Sequence, residues 1–330
     1  MVLLPKSRVE GHINNTLTTT NDGTFLCKDE QLSLALQQVV DAWHHASCIP
    51  LPTPLRIFNL SPYPALTMTN IMQMNRSEAL EDMRRDVLLA MKLSSKQVRE
   101  IFRLTRGLNN NLWYEYRYGR ILSTCFGKII YNMQHKAGQL SRDVMAMALG
   151  AHNVKNVRSM KHNKQKEPHA IAYYEAETGR DVSYGGLYLS SDGKFAASPH
   201  GYVKGHGIGQ DVLIVVKCPF YIRDLGLYQS AGPNYFVTTN NQGDYILNRA
   251  TPIGEDYYNQ IQGTLHVSNT RLCDLVVWTP RDSGIIRIRR EENWWSNNKH
   301  LLTDFFKKTF LPHLLSRAYR ADLRRNEIYA

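Results

Sequence analysis

No stretch of this sequence approaches the ~18 consecutive apolar residues that a membrane-spanning helix requires. Its first residues, MVLLPKSRVEGHINN, carry too short an apolar patch for a secretory signal. A nuclear or cytoplasmic protein without a membrane partner is therefore expected. Cysteine is scarce as well: Cys27, Cys48, Cys125, Cys218 and Cys273 are odd in number and include no Cys-x-x-Cys pair. That argues against a disulfide framework and a structural zinc site, and predicts reduced, mostly buried thiols. There is no internal repeat and no low-complexity segment, which excludes a solenoid or propeller array. Acidic residues are in deficit. Against 40 Lys and Arg stand 29 Asp and Glu, a net charge of +11 that suits a polyanionic partner such as nucleic acid.

The chain does hold enough apolar surface for one large core, with 330 residues that are 43% apolar and 21% charged. A stripe from Leu32 to Trp43 predicts an amphipathic helix over 31–43. Five prolines between Pro50 and Pro64 exclude helix and central strand there, leaving a linker or an extended arm. Asn75 with Glu78 resembles a capping box for a helix that turns Leu80, Met83, Val87, Leu88 and Met91 inward. Ser94-Ser95 open a second helix that ends near Gly107. Helical character is expected to continue to about Gly150, including 119–133 and 141–149, and to return over 164–178 with Ala170, Tyr173 and Tyr174 inward.

Strands follow. Residues 182–189 and 194–197 flank Asp192-Gly193, a hairpin-turn pair. Val212 to Val216 is a continuous apolar run, as expected of a central strand covered on both faces. A helix over 257–267, strands over 272–279 and 285–289, and a helical close at HLLTDFFKKTFLPHLLSRAY complete the order. The fold class is α/β, α+β-like. Residues 1–95 are expected to form an N-terminal helical and extended region, and 96–330 the main domain.

Four pieces stand out within that order. FAASPHGYVKGHGIGQDVLIVVKCPF, residues 195–220, places a glycine-rich loop between a strand ending at Ser198-Pro199 and a strand delivering Lys217 to Cys218-Pro219. TRGLNNNLWYEYRYGRILSTCFGKII holds Trp113, Arg117, Arg120 and Thr124. NKQKEPHAIAYYEAETG holds Glu167 ahead of Ala170 and Tyr174. YYNQIQGTLHVSNTRLCDLVVWTP holds Gln260, Gln262, Cys273 and Trp278. Together they resemble the lambda-exonuclease-like family, the YqaJ-like viral recombinases of the PD-(D/E)XK nuclease superfamily, a group that includes baculovirus-type alkaline nucleases.

The resemblance covers roughly Lys96 to Leu315 and implies a restriction-endonuclease-like core, a mixed central sheet flanked by helices. It implies that Trp113, Arg117, Arg120 and Thr124 hold the 5′-phosphate of a DNA end. It also implies that Glu167, Lys217, Gln260 and the positions of His200 and Val215 form the catalytic group, and that a homo-oligomer, a toroidal trimer, is the assembly. Guanidinium forks and helix N-termini suit phosphate. Each residue alone has a plainer reading: Trp113 as core, Arg117 solvated or paired with Glu115, Glu167 on a solvated helix face. The sequence departs from the family at Leu108, where many relatives have glutamine, at Asn163, where glycine is common, and at His313, where glutamate is common.

Two departures bear on chemistry. The family pattern carries acids where this chain has His200 and Val215. Magnesium is held by hard oxygen donors, valine has no lone pair, and imidazole favours zinc, nickel or copper. Glu167 alone remains, so no metal cofactor is expected, with magnesium or manganese only if ligands are displaced. Among candidate replacements, Asp192 is expected to face solvent from its turn. Asp211 lies roughly 13 Å along the strand from Val215. Glu175 lies about 12 Å along the helix from Glu167. A zinc site of His200, His206 and Glu167 is an alternative to His206 simply decorating the loop. Without the acids, the pocket should be neutral or positive. Three readings result: a catalytically inactive pseudo-nuclease that binds duplex DNA ends or single strands; an active metal-dependent 5′–3′ exonuclease with displaced ligands; or a scaffold subunit that pairs with an active paralogue and binds no DNA.

Overall fold

The computed structural model describes residues 17–19, 25–27, 67–75, 80–107, 111–135, 142–149, 158–205 and 210–316. The helix expected at 31–43, the proline-rich stretch, Cys48, Glu78, Leu108, Gly150 and His206 lie outside the described residues.

Strands β1 (Leu17–Thr19) and β2 (Phe25–Cys27) pair antiparallel. Helices α1 (Met68–Met74), α2 (Leu80–Ala90), α3 (Ser95–Leu104) and α4 (Asn111–Arg117) lead to β3 (Ile121–Leu122), then to α5 (Phe126–His135), α6 (Arg142–Ala148) and the long α7 (Arg158–Thr178). Next come β4 (Ser183–Tyr184), β5 (Tyr188–Leu189), β6 (Phe195–Ala197), β7 (Gly201–Val203) and β8 (Val212–Lys217). The short α8 (Leu227–Ser230) and the hairpin β9 (Val237–Thr239) and β10 (Tyr245–Leu247) follow. The chain then forms α9 (Pro252–Ser268), β11 (Leu272–Trp278), β12 (Ser283–Arg289) and α10 (Glu292–Phe305), which continues through a π-turn at Phe306–Phe310.

Local signals explain several boundaries. Ser94 and Gln97 close a reciprocal capping box on α3. Thr251 caps α9 with Pro252 in its first turn, and Asn269 ends that helix in the left-handed region. The Asn75 N–H bonds Ile71 O at the C-terminus of α1, so Asn75 closes that helix; the capping box expected with Glu78 lies outside the described residues.

The main sheet has five strands in the order β12-β11-β8-β7-β4. β8 lies at its centre, parallel to β11 and antiparallel to β7. One face packs Leu213, Val215, Leu275 and Val277 against Ile261 and Leu265 of α9. The other packs Val212, Ile214 and Val216 against Ala170 and Tyr174 of α7. Tyr173, expected inward, is only half-buried and packs at that cluster's margin. This is the mixed α/β architecture expected, with the apolar run at β8 covered on both faces. A third cluster joins Met68, Ile71, Val87 and Met91 to Ile101, Phe195, Phe305 and Leu311, so the core runs continuously across position 95.

Residues 119–133 are not one helix. Gly119 at φ +71 stops the helical path. Ile121 and Leu122 then extend as β3, parallel to Phe195 and Ala196 of β6, and one 3-10 turn at Ser123–Cys125 precedes α5. The Asp192 side chain does not face solvent. It accepts Ser190 Oγ at 2.7 Å and Lys194 Nζ at 2.7 Å beneath the turn at Gly193.

Arg120 is the largest fully buried side chain. Its Nε donates to Gly193 O at 3.0 Å and its Nη1 to Tyr116 O at 2.6 Å, and burial lowers its pKa to about 10. The guanidinium thereby ties the end of α4 to the β5–β6 turn. Arg120→Ala would strand these carbonyls and leave a void. It should lower stability by about 3 kcal/mol, read as a fall in the urea midpoint at constant slope. An unchanged midpoint would refute the brace.

Candidate functional site

Side chains along β8 alternate between two helices, and this alternation builds the site. Val215 points at α9 and is 1% exposed. Lys217, two residues on, emerges past that apolar layer at the end of the strand. Its Nζ donates to Gln260 Oε1 at 3.1 Å and sits 4.0 Å from the Tyr257 ring centroid. Burial lowers its pKa to about 8, with Asp256 opposing that shift.

His200 stands just ahead of β7, after Pro199. Its backbone N–H donates to Ile214 O at 2.9 Å, continuing the ladder with β8. The next acceptor in that ladder is the imidazole itself: Nδ1 accepts the Val216 N–H at 3.1 Å. The ring thus substitutes for the main chain where the chain turns away. Burial, with Lys217 adding repulsion, drives its pKa down to about 3, so it is neutral with the proton on Nε2.

Glu167 sits mid-helix on α7, directly before Pro168. Burial raises its pKa while Lys164 opposes the rise. It acts electrostatically on the Cys218 thiol, which burial and this carboxylate push up to about 12. Lys217, in contrast, engages Gln260, Tyr257 and Asp256 of α9. Asn163 Oδ1 accepts the Cys218 N–H at 2.7 Å, so the residue standing where glycine is common ties α7 to the exit of β8.

The residues expected to hold a 5′-phosphate divide. Trp113 is buried and its Nε1 donates to Ser198 Oγ at 3.0 Å, joining α4 to the Ser-Pro-His-Gly turn. Arg117 stacks on Trp113 with its Cζ 4.3 Å from the ring centroid, and burial lowers its pKa. Thr124 is exposed at the entrance to α5, while Ser123 beneath it accepts Thr264 Oγ1 at 3.0 Å and fastens the turn to α9. Arg120 does not join them. It is the buried brace described above, its Nε and Nη1 donating to carbonyls.

Sequence reasoning missed Asp256. It lies on α9 one turn before Gln260, and the signal available was that i, i+4 spacing on a capped helix. Its carboxylate packs on Gly127, where a methyl group would collide with it, and it receives the Lys128 backbone N–H at the start of α5. Burial raises its pKa, with Lys128 and Lys217 opposing, and its Oδ1 is buried without a hydrogen-bond partner. Asp256 acts electrostatically on both Lys217 and Cys125, and Cys125 in turn lies within reach of Arg117. It therefore links the two halves of the site. The pocket expected to have shed all but one acid keeps this one. Gln262 is structural, with Nε2 on Arg289 O at 2.8 Å and Oε1 accepting the Glu291 N–H at 2.9 Å.

Residues 112–271 match the YqaJ-like viral recombinase domain. Among solved structures, the chain is similar to an alkaline exonuclease, LHK-Exo, from Laribacter hongkongensis, at 21% identity over 64% of this chain and 97% of that one, with a TM-score of 0.45. It is also similar to SOX in a SOX–DNA complex (9% identity, 86% of this chain, 92% of that one, TM-score 0.47). A KSHV SOX–RNA complex is similar at 11% identity, 87% and 96% coverage and a TM-score of 0.46. No curated protein matches the chain.

The His200 contact generates a pH prediction. A histidine held neutral to about pH 3 in the fold but free to protonate near 6.5 when unfolded stabilises the protein above pH 6.5. That contribution is lost progressively as pH falls from 6.5 toward 3. His200→Asn keeps an acceptor for the Val216 N–H and removes the titration, so its stability curve should be flatter over that window. A variant as steep as the wild type would rule out the neutral clamp.

Proposed function

We propose, from the match of residues 112–271 to the YqaJ-like viral recombinase domain, that the chain binds DNA ends or single strands through this site without cleaving them. The observation that carries the reading is the fate of the two family acid positions. Val215 is sealed into the β8–α9 core, and the His200 Nδ1 lone pair is committed to the Val216 N–H. Glu167 lies beside Cys218 and Lys164. These donors do not fit a hard divalent ion, which needs several oxygens converging on one point.

The binding half of the site is better supported. Arg117, flattened on Trp113, presents a guanidinium fork, and Thr124 adds a hydroxyl beside the first turn of α5. Lys217 supplies a further positive charge at the end of β8. Arg117→Ala should weaken binding of a 5′-phosphorylated end about tenfold, with little effect on a 5′-hydroxyl end, because a charge-assisted phosphate contact is worth roughly 1.5–3 kcal/mol. Affinity should also fall steeply with salt through counterion release. Failure to bind DNA at low salt would reject this reading and leave the scaffold that pairs with an active paralogue.

One observation favours an active nuclease with displaced ligands: the Asp256 Oδ1 is buried without a partner near Lys217. A digestion series separates the two. End-labelled duplex with magnesium or manganese should stay intact with the wild-type protein and be degraded by the His200→Asp, Val215→Glu double variant. Wild-type release of mononucleotides, abolished in Asp256→Asn, would replace the non-cleaving reading with the active one.

A further inference from the structure

The end of the sheet opposite Lys217 carries a feature that the end-binding reading leaves unused. A pocket of about 530 Å³ is lined by Arg180, Arg271, Arg287, Arg289 and Arg290, with Glu292 the acid on its wall. Its position follows from register. Leu272 pairs with Val212 at the start of β8, and Arg289 pairs with Leu272 at the end of β12. Lys217 closes the other end of β8, five residues or about 16 Å away along the strand.

Two of the arginines are held in place by fixed partners. Arg287 Nε and Nη2 each lie 2.8 Å from an oxygen of Asp274, a fully buried carboxylate that also accepts Tyr174 Oη at 2.8 Å. Half of the Arg287 side chain nevertheless stays exposed. Arg290 is clamped between Glu292 and Asn269 Oδ1. Arg180, Arg271 and Arg289 make no salt bridge among the described residues, and Arg271 and Arg289 are exposed. Five guanidinium charges against the carboxylates of Asp274 and Glu292 leave a surplus of three positive charges around one concavity.

That arrangement selects for phosphate. All five cations are arginine, whose planar fork binds phosphodiester oxygens bidentately, while a merely solvated surface would mix in lysine. Arg287 and Arg289 project from the same side of β12, about 7 Å apart, so they present a row of forks to an extended backbone. We propose that this arginine pocket is a second nucleic-acid site, one that grips the phosphodiester backbone and needs no strand end. It goes beyond the end-binding reading and does not depend on it.

Circular single-stranded DNA, which has no ends, is the probe. Arg271→Glu with Arg289→Glu changes two exposed side chains, and an unchanged melting temperature checks that the fold is intact. The double variant should bind the circle at least tenfold more weakly. Its slope of log affinity against log salt should be shallower by about 1.4, the value for two lost phosphate contacts on a single strand. Unchanged affinity, or weaker binding at an unchanged slope, would overturn the proposal. So would poly-glutamate competing as well as the DNA at equal charge, which would point to an acidic protein partner. On linear duplex the same variant should keep its preference for 5′-phosphate over 5′-hydroxyl ends. Loss of that preference already in the wild type would count against the end pocket and leave the arginine site standing.

Discussion

The parallel pairing of β8 with β11 and the burial of both faces of β8 constrain everything else in this molecule. A strand covered by α9 on one side and α7 on the other has only its two ends available for chemistry. Every interior position must be apolar or matched, and Val215 obeys that rule completely. A carboxylate at Val215 would have to reach out of the β8–α9 layer toward Lys217. With valine there the layer closes against Ile261 and Leu265, and closing it adds apolar burial to the centre of the domain.

Much of this was legible in the sequence, for physical reasons that differ by element. The central strand was readable because five consecutive apolar residues have no other place in a mixed sheet. The start of α3 was readable because Ser94 and Gln97 are a local, reciprocal pair. The convergence of Lys217 with Gln260 was implied by the resemblance and is seen as a hydrogen bond, whereas the bond from Trp113 to Ser198 is a tertiary contact that the sequence did not announce. Arg120 was misjudged because an arginine beside a phosphate motif looks like a ligand, while its real partners, Gly193 O and Tyr116 O, are carbonyls that no side-chain pattern reveals. Short strands such as β3 carry too few residues to show a period. Asp256 was not legible because it arrives on α9, a different element from those that carry Glu167, His200 and Val215, with no local pattern tying it to them. The close approach of α9 to Gly127 is a tertiary event.

Asp256 and His200 together set the charge of the site. One carboxylate, Asp256, stands near Lys217, so the local charge balance lies near neutrality. His200 contributes no charge in the physiological range because its ring is engaged as a neutral acceptor. Lys217, with a pKa brought down to about 8, is only partly protonated in mildly alkaline solution. The positive potential at this end of the sheet therefore rests chiefly on the Arg117 guanidinium. This end of the sheet presents one stacked guanidinium and a hydroxyl, not a ring of cations.

The far end of the sheet is built on the opposite principle. There a buried carboxylate, Asp274, is fully satisfied by Arg287 and Tyr174, and its role is to orient a cation. Removing Asp274 would free Arg287 but also leave it undirected, whereas removing Arg287 would strand a buried charge, the costlier defect. That asymmetry explains how a domain of this size tolerates five arginines around one concavity: the buried acid holds one of them, Glu292 holds another, and the rest repel each other only through water. One central strand thus separates a sparse, nearly neutral pocket from a dense arginine cluster. About 16 Å of strand and screening by the surrounding solvent keep the two fields apart.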